Sequence, residues 1–133
     1  MPICIYPLLG GTIIPSSIVF ARCNNGKYSS GFVVSTQSSR HTVRLYTGEV
    51  LTFDVNDSPA LVLDQNPESH ALQVGTRVIG SRPKSVLWHP GKVTEVKQEM
   101  DGAFFHVQFE DGNQCWHGVD DIRPVRYSKV GGL

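Results

Sequence analysis

Two stretches of this 133-residue sequence gather side chains capable of chemistry. The first is Cys115-x-His117, with His106 upstream across an acidic turn. A thiol and two imidazoles on one strand face are borderline-soft zinc ligands, or a nucleophile beside a general base. No fourth ligand accompanies them, and Cys-x-His on a strand is not a recognised zinc spacing. Nothing marks an oxyanion site or a helix N-terminus that would lower the thiol's pKa, and Gly-rich phosphate loops are absent. The sequence therefore predicts neither catalysis nor a metal nor a cofactor. The second stretch places Arg77, Arg82, Lys84 and Lys92 around Trp88 and His89, followed by Phe109, Glu110 and Asp111. Cations interleaved with aromatics suit nucleic acid, through phosphate attraction and base stacking. An aromatic face beside a carboxylate suits a bound cation.

Strands and hairpins must carry these groups. Val93, Val96, Phe105, Val107 and Phe109 fall in short runs between polar, Gly-containing turns, as do Val33, Val34, Val43 and Leu45. No window sustains a 3.6-residue period over three turns. In Glu110-Asp111-Gly112-Asn113 the central Asp-Gly predicts a type I′ hairpin turn. That turn would set Phe109 opposite Gln114, Val107 opposite Trp116 and His106 opposite His117. Phe105, Val107, Phe109 and Trp116 would then face the core, and His106, Gln108, Cys115 and His117 the other side.

The same pattern occurs twice. Ser17–Arg22 has a counterpart in Thr76–Ser81, Tyr28–Val34 in Trp88–Thr94, Val43–Gly48 in His106–Gly112, and Val55-Asn56-Asp57 in Val119-Asp120-Asp121. Across these blocks the offset drifts only from about 59 to about 64 residues, in constant order. Each copy reads as four strands and a short fifth in a strongly bent sheet, which closes into a small barrel to remove its edges. A unit of about 60 residues buries only about 60% of its unfolded surface, so two such barrels are expected to pack together. The predicted organisation is an N-terminal extension or extra strand (1–16), a first barrel (17–63), a linker (64–73), a second barrel (74–126) and a tail (127–133).

Composition sets the outer bounds. Twelve Lys+Arg against twelve Asp+Glu give no net formal charge, which excludes the strongly basic nucleic-acid binders and any acidic tail. Thirteen Gly and eight Pro fit a turn-rich β protein better than a helical one. Three irregularly spaced cysteines do not form a disulfide framework and read as a reduced, intracellular chain. The apolar opening Met1–Leu9 lacks a basic flank, is broken by Pro7 and is too short to cross a bilayer, so no membrane role is expected.

The second copy resembles the Tudor family. Val74–Gly80 is similar to its first strand, Trp88-His89-Pro90-Gly91-Lys92-Val93 to its second, Phe105–Gly112 to its third strand and acidic turn, and Val119–Pro124 to its closing segment. The first copy resembles the family mainly through the repeat. The resemblance implies an all-β fold of two tandem five-stranded SH3-like barrels, part of a longer nuclear protein. It also implies a non-catalytic chromatin reader that binds methylated lysine or arginine peptides, histone tails above all, in an aromatic cage. Carried over, the cage falls on Arg82, His89, Phe109 and the Glu110-Asp111 turn, with Trp88 beside it. A weaker second site falls on Tyr28 and Tyr46. Only Phe109 among the matched positions of the second copy is a full aromatic, and Arg82 would repel a cation there. Two alternatives stand beside this reading: a protein–protein scaffold with a groove between the barrels, and DNA or RNA binding through Arg77, Arg82, Lys84 and Lys92.

Overall fold

The computed structural model describes residues 13–125. The predicted N-terminal strand and C-terminal tail concern residues largely outside that range. The chain forms ten strands: β1 Ile18–Arg22, β2 Tyr28–Gln37, β3 Arg40–Leu45, β4 Val50–Asp54, β5 Leu61–Leu63, β6 Arg77–Gly80, β7 His89–Glu99, β8 Gly102–Phe109, β9 Gln114–His117 and β10 Ile122–Pro124. They make two antiparallel five-stranded sheets, ordered β4-β3-β2-β1-β5 and β10-β6-β7-β8-β9. The rest of the regular structure among the described residues is three single 3-10 turns. β4 and β5 are the edges of the first sheet and β9 and β10 those of the second, with no ladder joining either pair.

The repeat recurs in the backbone bonding of both units. A bulge interrupts β2 between Val33 and Ser35, and another interrupts β7 between Val93 and Glu95. Val33 N–H donates to Ser17 O, and Val93 N–H to Thr76 O. Gly31 and Gly91 share a steric demand at the bend beside these bulges. A Cβ on Gly31 would lie 2.6 Å from the Arg44 carbonyl oxygen, and one on Gly91 2.7 Å from that of Gln108. Only glycine lets the long second strand of each unit approach its neighbour so closely.

Each sheet wraps a core of its own. Val19, Ala21, Val33, Val43, Leu45 and Leu61 fill the first, and Leu72, Val78, Val93, Phe105, Val107, Phe109 and Ile122 the second. A third cluster belongs to both units: Phe20, Tyr28 and Val62 of the first pack with Ile79, Trp88 and Val125 of the second. The ring centroids of Phe20 and Trp88 are 4.3 Å apart. Across this seam Arg123 binds Asp64 through Nε and Nη2 at 3.1 and 2.9 Å. Its Nη1 donates to the carbonyls of Val119, Asp120 and Ile122, and its guanidinium lies 5.1 Å over Trp88. The buried charge is thus paired and hydrogen-bonded on every side, the condition for tolerating it.

The hairpin between β8 and β9 differs from the sequence expectation. Gly112 N–H donates to Phe109 O and Phe109 N–H to Asn113 O, with Gly112 at φ 94°. This is a three-residue loop closed by a left-handed glycine, not a two-residue type I′ turn. The register slips by one: Gln108 faces Gln114, Val107 faces Cys115, His106 faces Trp116 and Phe105 faces His117. A slip of one residue turns a strand's faces over. Phe105, Val107 and Phe109 are buried as expected, but Trp116 is 44% exposed while His117 is buried. Trp116 packs edge-on against His106 at 5.1 Å, under the Lys97 ammonium.

Candidate functional site

The turn that closes β8 and the loop between β6 and β7 meet over the ring of Phe109. From the loop, Arg82 lays its guanidinium 4.9 Å above the Phe109 centroid. Arg82 Nη1 donates to Asp111 Oδ2 at 2.6 Å and lies 3.3 Å from His89 Nδ1. His89 and His117 stand edge-on to the same ring at 6.3 and 5.6 Å. Gly80 completes the floor, where a Cβ would come within 3.3 Å of the ring.

The hydrogen-bond pattern assigns the protons. Ser85 Oγ lies 3.1 Å from the Leu87 carbonyl, which can only accept, so the hydroxyl donates there. It must then accept from both Leu87 N–H and His89 Nε2–H. His89 is therefore the Nε2–H tautomer, and its bare Nδ1 is an acceptor turned toward Arg82. Burial, then the charges of Arg82 and Lys27, hold the His89 pKa below 6.5 against the opposing pull of Asp111. The Arg82 hydrogen bond, with help from Asn113 N–H, holds the Asp111 carboxyl below its ordinary value. An aromatic face, a carboxylate and a neutral imidazole acceptor thus surround one cation, supplied by the chain itself.

The other expected residues lie elsewhere. Trp88 is turned away from Phe109, and its ring contacts are Phe20 and Arg123 in the seam. Tyr28 is buried in the same seam with its hydroxyl donating to Pro59 O at 2.6 Å, whereas Tyr46 is 57% exposed on its hairpin. Glu110 points to Arg77 at 3.6 Å, away from the Arg82–Asp111 pair. Of the four cations proposed for nucleic acid, Arg77 and Arg82 are paired with carboxylates of their own unit, while Lys84 and Lys92 are exposed.

The slipped register also divides the Cys115/His117/His106 group. His117 Nε2–H donates to Ser81 O at 2.8 Å inside the second unit, with Cys115 Sγ 3.7 Å from the ring, while His106 lies on the outer face. Burial raises the Cys115 thiol pKa against the opposing pull of Arg82, the reverse of the shift that activates a thiol. A separate groove of about 190 Å³ opens where the units meet, lined by Arg22, Tyr28, Arg77, Pro90, Glu110 and Val125.

Sequence reasoning placed Arg82 at the site but as a defect, and did not foresee Ser85 as the group that fixes the His89 tautomer. It also missed the Asp64–Arg123 pair. The pointer to Arg82's role was its company: a cation matched to a position walled by Phe109 and Asp111 has reason to be held there.

No family model matches this sequence, and no curated protein matches it. Among solved structures, the chain is similar to a selenium-substituted double mutant of the Arabidopsis thaliana SHH1 SAWADEE domain. The likeness has a TM-score of 0.54 and 15% identity, over 81% of this chain and 96% of that one. A looser likeness, at TM-score 0.47 and 14% identity, links it to tandem Agenet domains 3-4 of ADCP1 over 84% and 79% of the two chains. At this identity the likeness to the SAWADEE domain is one of fold alone, and its coverage takes in both five-stranded sheets.

Proposed function

We propose that this chain is a non-catalytic reader module that binds protein peptides through a cationic side chain, with methylated lysine or arginine of histone tails as the ligand and the nucleus as its place of work. In this reading residues 17–63 and 74–126 are two Tudor-like barrels joined by residues 64–73, and the second carries the site. The observation that carries it is the recess of Phe109, Asp111 and His89, which already holds a cation in the way a reader would. Stacking on an aromatic face is worth about 0.5–1 kcal/mol when exposed and about 2 when desolvated. A peptide would therefore need backbone contacts as well to approach micromolar affinity, about −8 kcal/mol. The fold shared with a SAWADEE domain agrees with a module that binds rather than catalyses.

The test titrates histone-tail peptides of each methylation state against labelled protein and against His89→Ala. Methylation-dependent binding that weakens in His89→Ala, with thermal stability unchanged, supports the reading. Equal binding at all states, or none up to millimolar peptide, overturns it.

A second reading, a scaffold for an unmethylated protein segment, rests on the groove between the units. Its lining pairs Arg77 with Glu110 beside Arg22 and Pro90, which suits an extended chain rather than a point charge. Methylation-independent binding lost with Arg22→Glu favours it. Nucleic-acid binding has less support, because carboxylates already neutralise Arg77 and Arg82.

A further inference from the structure

We infer that Arg82 is an intramolecular ligand of the Phe109 recess, so that an incoming cation binds only by displacing it. The inference rests on the reading of this recess as the peptide site, and it adds how the site is held closed and which cations it favours. Asp111 and His89 are both engaged by the one guanidinium. Its Nη1 is 2.6 Å from Asp111 Oδ2 and 3.3 Å from His89 Nδ1, and its plane covers the Phe109 face at 4.9 Å. The Arg82 side chain is only 19% exposed, against 50% for Asp111, so the cation sits beneath the carboxylate rather than out in solvent.

The arrangement is built for a donor-bearing cation. The Ser85 hydroxyl is committed to the Leu87 carbonyl, which leaves His89 Nδ1 as an acceptor aimed at the cation's position. A guanidinium, or an ammonium that keeps at least one N–H, satisfies both Nδ1 and Asp111. A quaternary ammonium leaves Nδ1 without a donor, and a partly buried acceptor left unsatisfied is costly. The first unit has no such device. Leu45 and Thr47 stand at the positions of Phe109 and Asp111, as the matching turn bonds of Leu45–Gly48 and Phe109–Gly112 establish. Among the described residues, the Arg-filled recess belongs to the second unit.

An internal ligand lowers apparent affinity by the fraction of time that it is absent. A recess vacated about 1–10% of the time binds an outside cation about 10- to 100-fold more weakly than a vacant one. The variant Arg82→Ala vacates it, and Asp111→Asn loosens the clamp while keeping the ring and the imidazole.

The experiment uses the full chain and methylguanidinium chloride as probe, with sodium chloride at matched concentration as control. NMR follows the Phe109 and His89 rings and the Arg82 Nη–H signals. In the wild-type protein, saturating probe should release the Arg82 Nη–H signals toward free exchange while the two rings shift. Arg82→Ala should bind the probe at least about tenfold more tightly than wild type, and tetramethylammonium less tightly than methylguanidinium. Equal affinity in wild type and Arg82→Ala overturns the inference, as does ring shifting in wild type without release of Arg82. The wild-type arm decides the matter if Arg82→Ala does not fold. Methylated histone-tail peptides are then titrated separately. Probe binding that depends on Arg82, with no peptide binding in either protein, keeps the internal ligand and discards the histone-reader reading. Peptide binding unaffected by Arg82→Ala, with equal probe affinity in the two proteins, keeps a reader at another surface and discards the inference.

Discussion

Tyr28 and Trp88 are counterparts in the two repeats, and they hydrogen-bond to each other: each backbone N–H donates to the other's carbonyl at 2.8 Å. The equivalence follows from Tyr46 N–H donating to Ser30 O exactly two residues after Tyr28, where Glu110 N–H donates to Pro90 O two residues after Trp88. Phe20 and Ile79, also counterparts, lie in the same cluster. The two units therefore meet about a local two-fold axis, with Trp88 and Tyr28 at the centre.

The seam is expected to make the two units unfold together. Asp64→Asn leaves the Arg123 guanidinium, only 8% exposed, without its counter-charge. Loss of one partner from a buried pair costs about 3 kcal/mol. Urea unfolding followed by circular dichroism should show one transition in both proteins, displaced to lower urea in the variant. Two separated transitions in the wild-type protein would show that the units are energetically independent.

Register is open to a direct optical check. Trp116 and Trp88 are the two tryptophans of the chain. In Trp88→Phe, the remaining Trp116 is 44% exposed, and its emission should be red-shifted and readily quenched by acrylamide. A blue-shifted, protected Trp116 would mean that β9 pairs as the type I′ turn demands.

The recess carries a pH signature. His89 is held below 6.5 chiefly by burial, then by Arg82 and Lys27. The unfolded chain takes up that proton first as pH falls below 6.5, so this group's contribution lowers stability from there downward. Asp111 acts in the same direction at lower pH: held below 3.8 by Arg82, it contributes stability in full above 3.8 and loses it as pH falls through its lower folded value. NMR titration should find the His89 pKa below 6.5, rising in Arg82→Ala and falling further in Asp111→Asn. A His89 value unmoved by Arg82→Ala would mean that the guanidinium does not sit beside the imidazole.

Much of the fold was legible because the repeat was. Two bulges, two close-approach glycines and two Gly-closed hairpins recur at matching places, and each leaves a mark on the sequence. The register of β9 was misread because Asp111-Gly112 suits both a type I′ turn and a three-residue loop, and both Cys115 and Trp116 can face a core. The first unit held the discriminating signal. Its matching dipeptide is Thr47-Gly48, and type I′ geometry would put the β-branched Thr47 in the left-handed region, where it is disfavoured. There only Gly48 takes a positive φ, at 95°. The site was legible in its residue types but not in its state. Which cation fills a recess depends on where a loop places its side chain, and strand periodicity does not encode that. Trp88 packs on Phe20 and Arg123 rather than on Phe109, a placement that sequence adjacency to His89 does not reveal.

Two matching patches that meet about a two-fold axis are how two identical chains associate. Here both halves are on one chain, so their association is intramolecular and does not weaken on dilution. Covalent joining also frees each half from mirroring the other. A substitution in a true homodimer appears on both sides of the axis at once, whereas here Arg123 can enter the interface with Val62 across from it in the first unit's matching strand position. The same freedom lets the second unit carry Phe109, Asp111 and Arg82 while the first keeps Leu45 and Thr47. Specialisation of one half, with the other retained as its structural support, is what a single-chain pseudo-dimer permits and a homodimer does not.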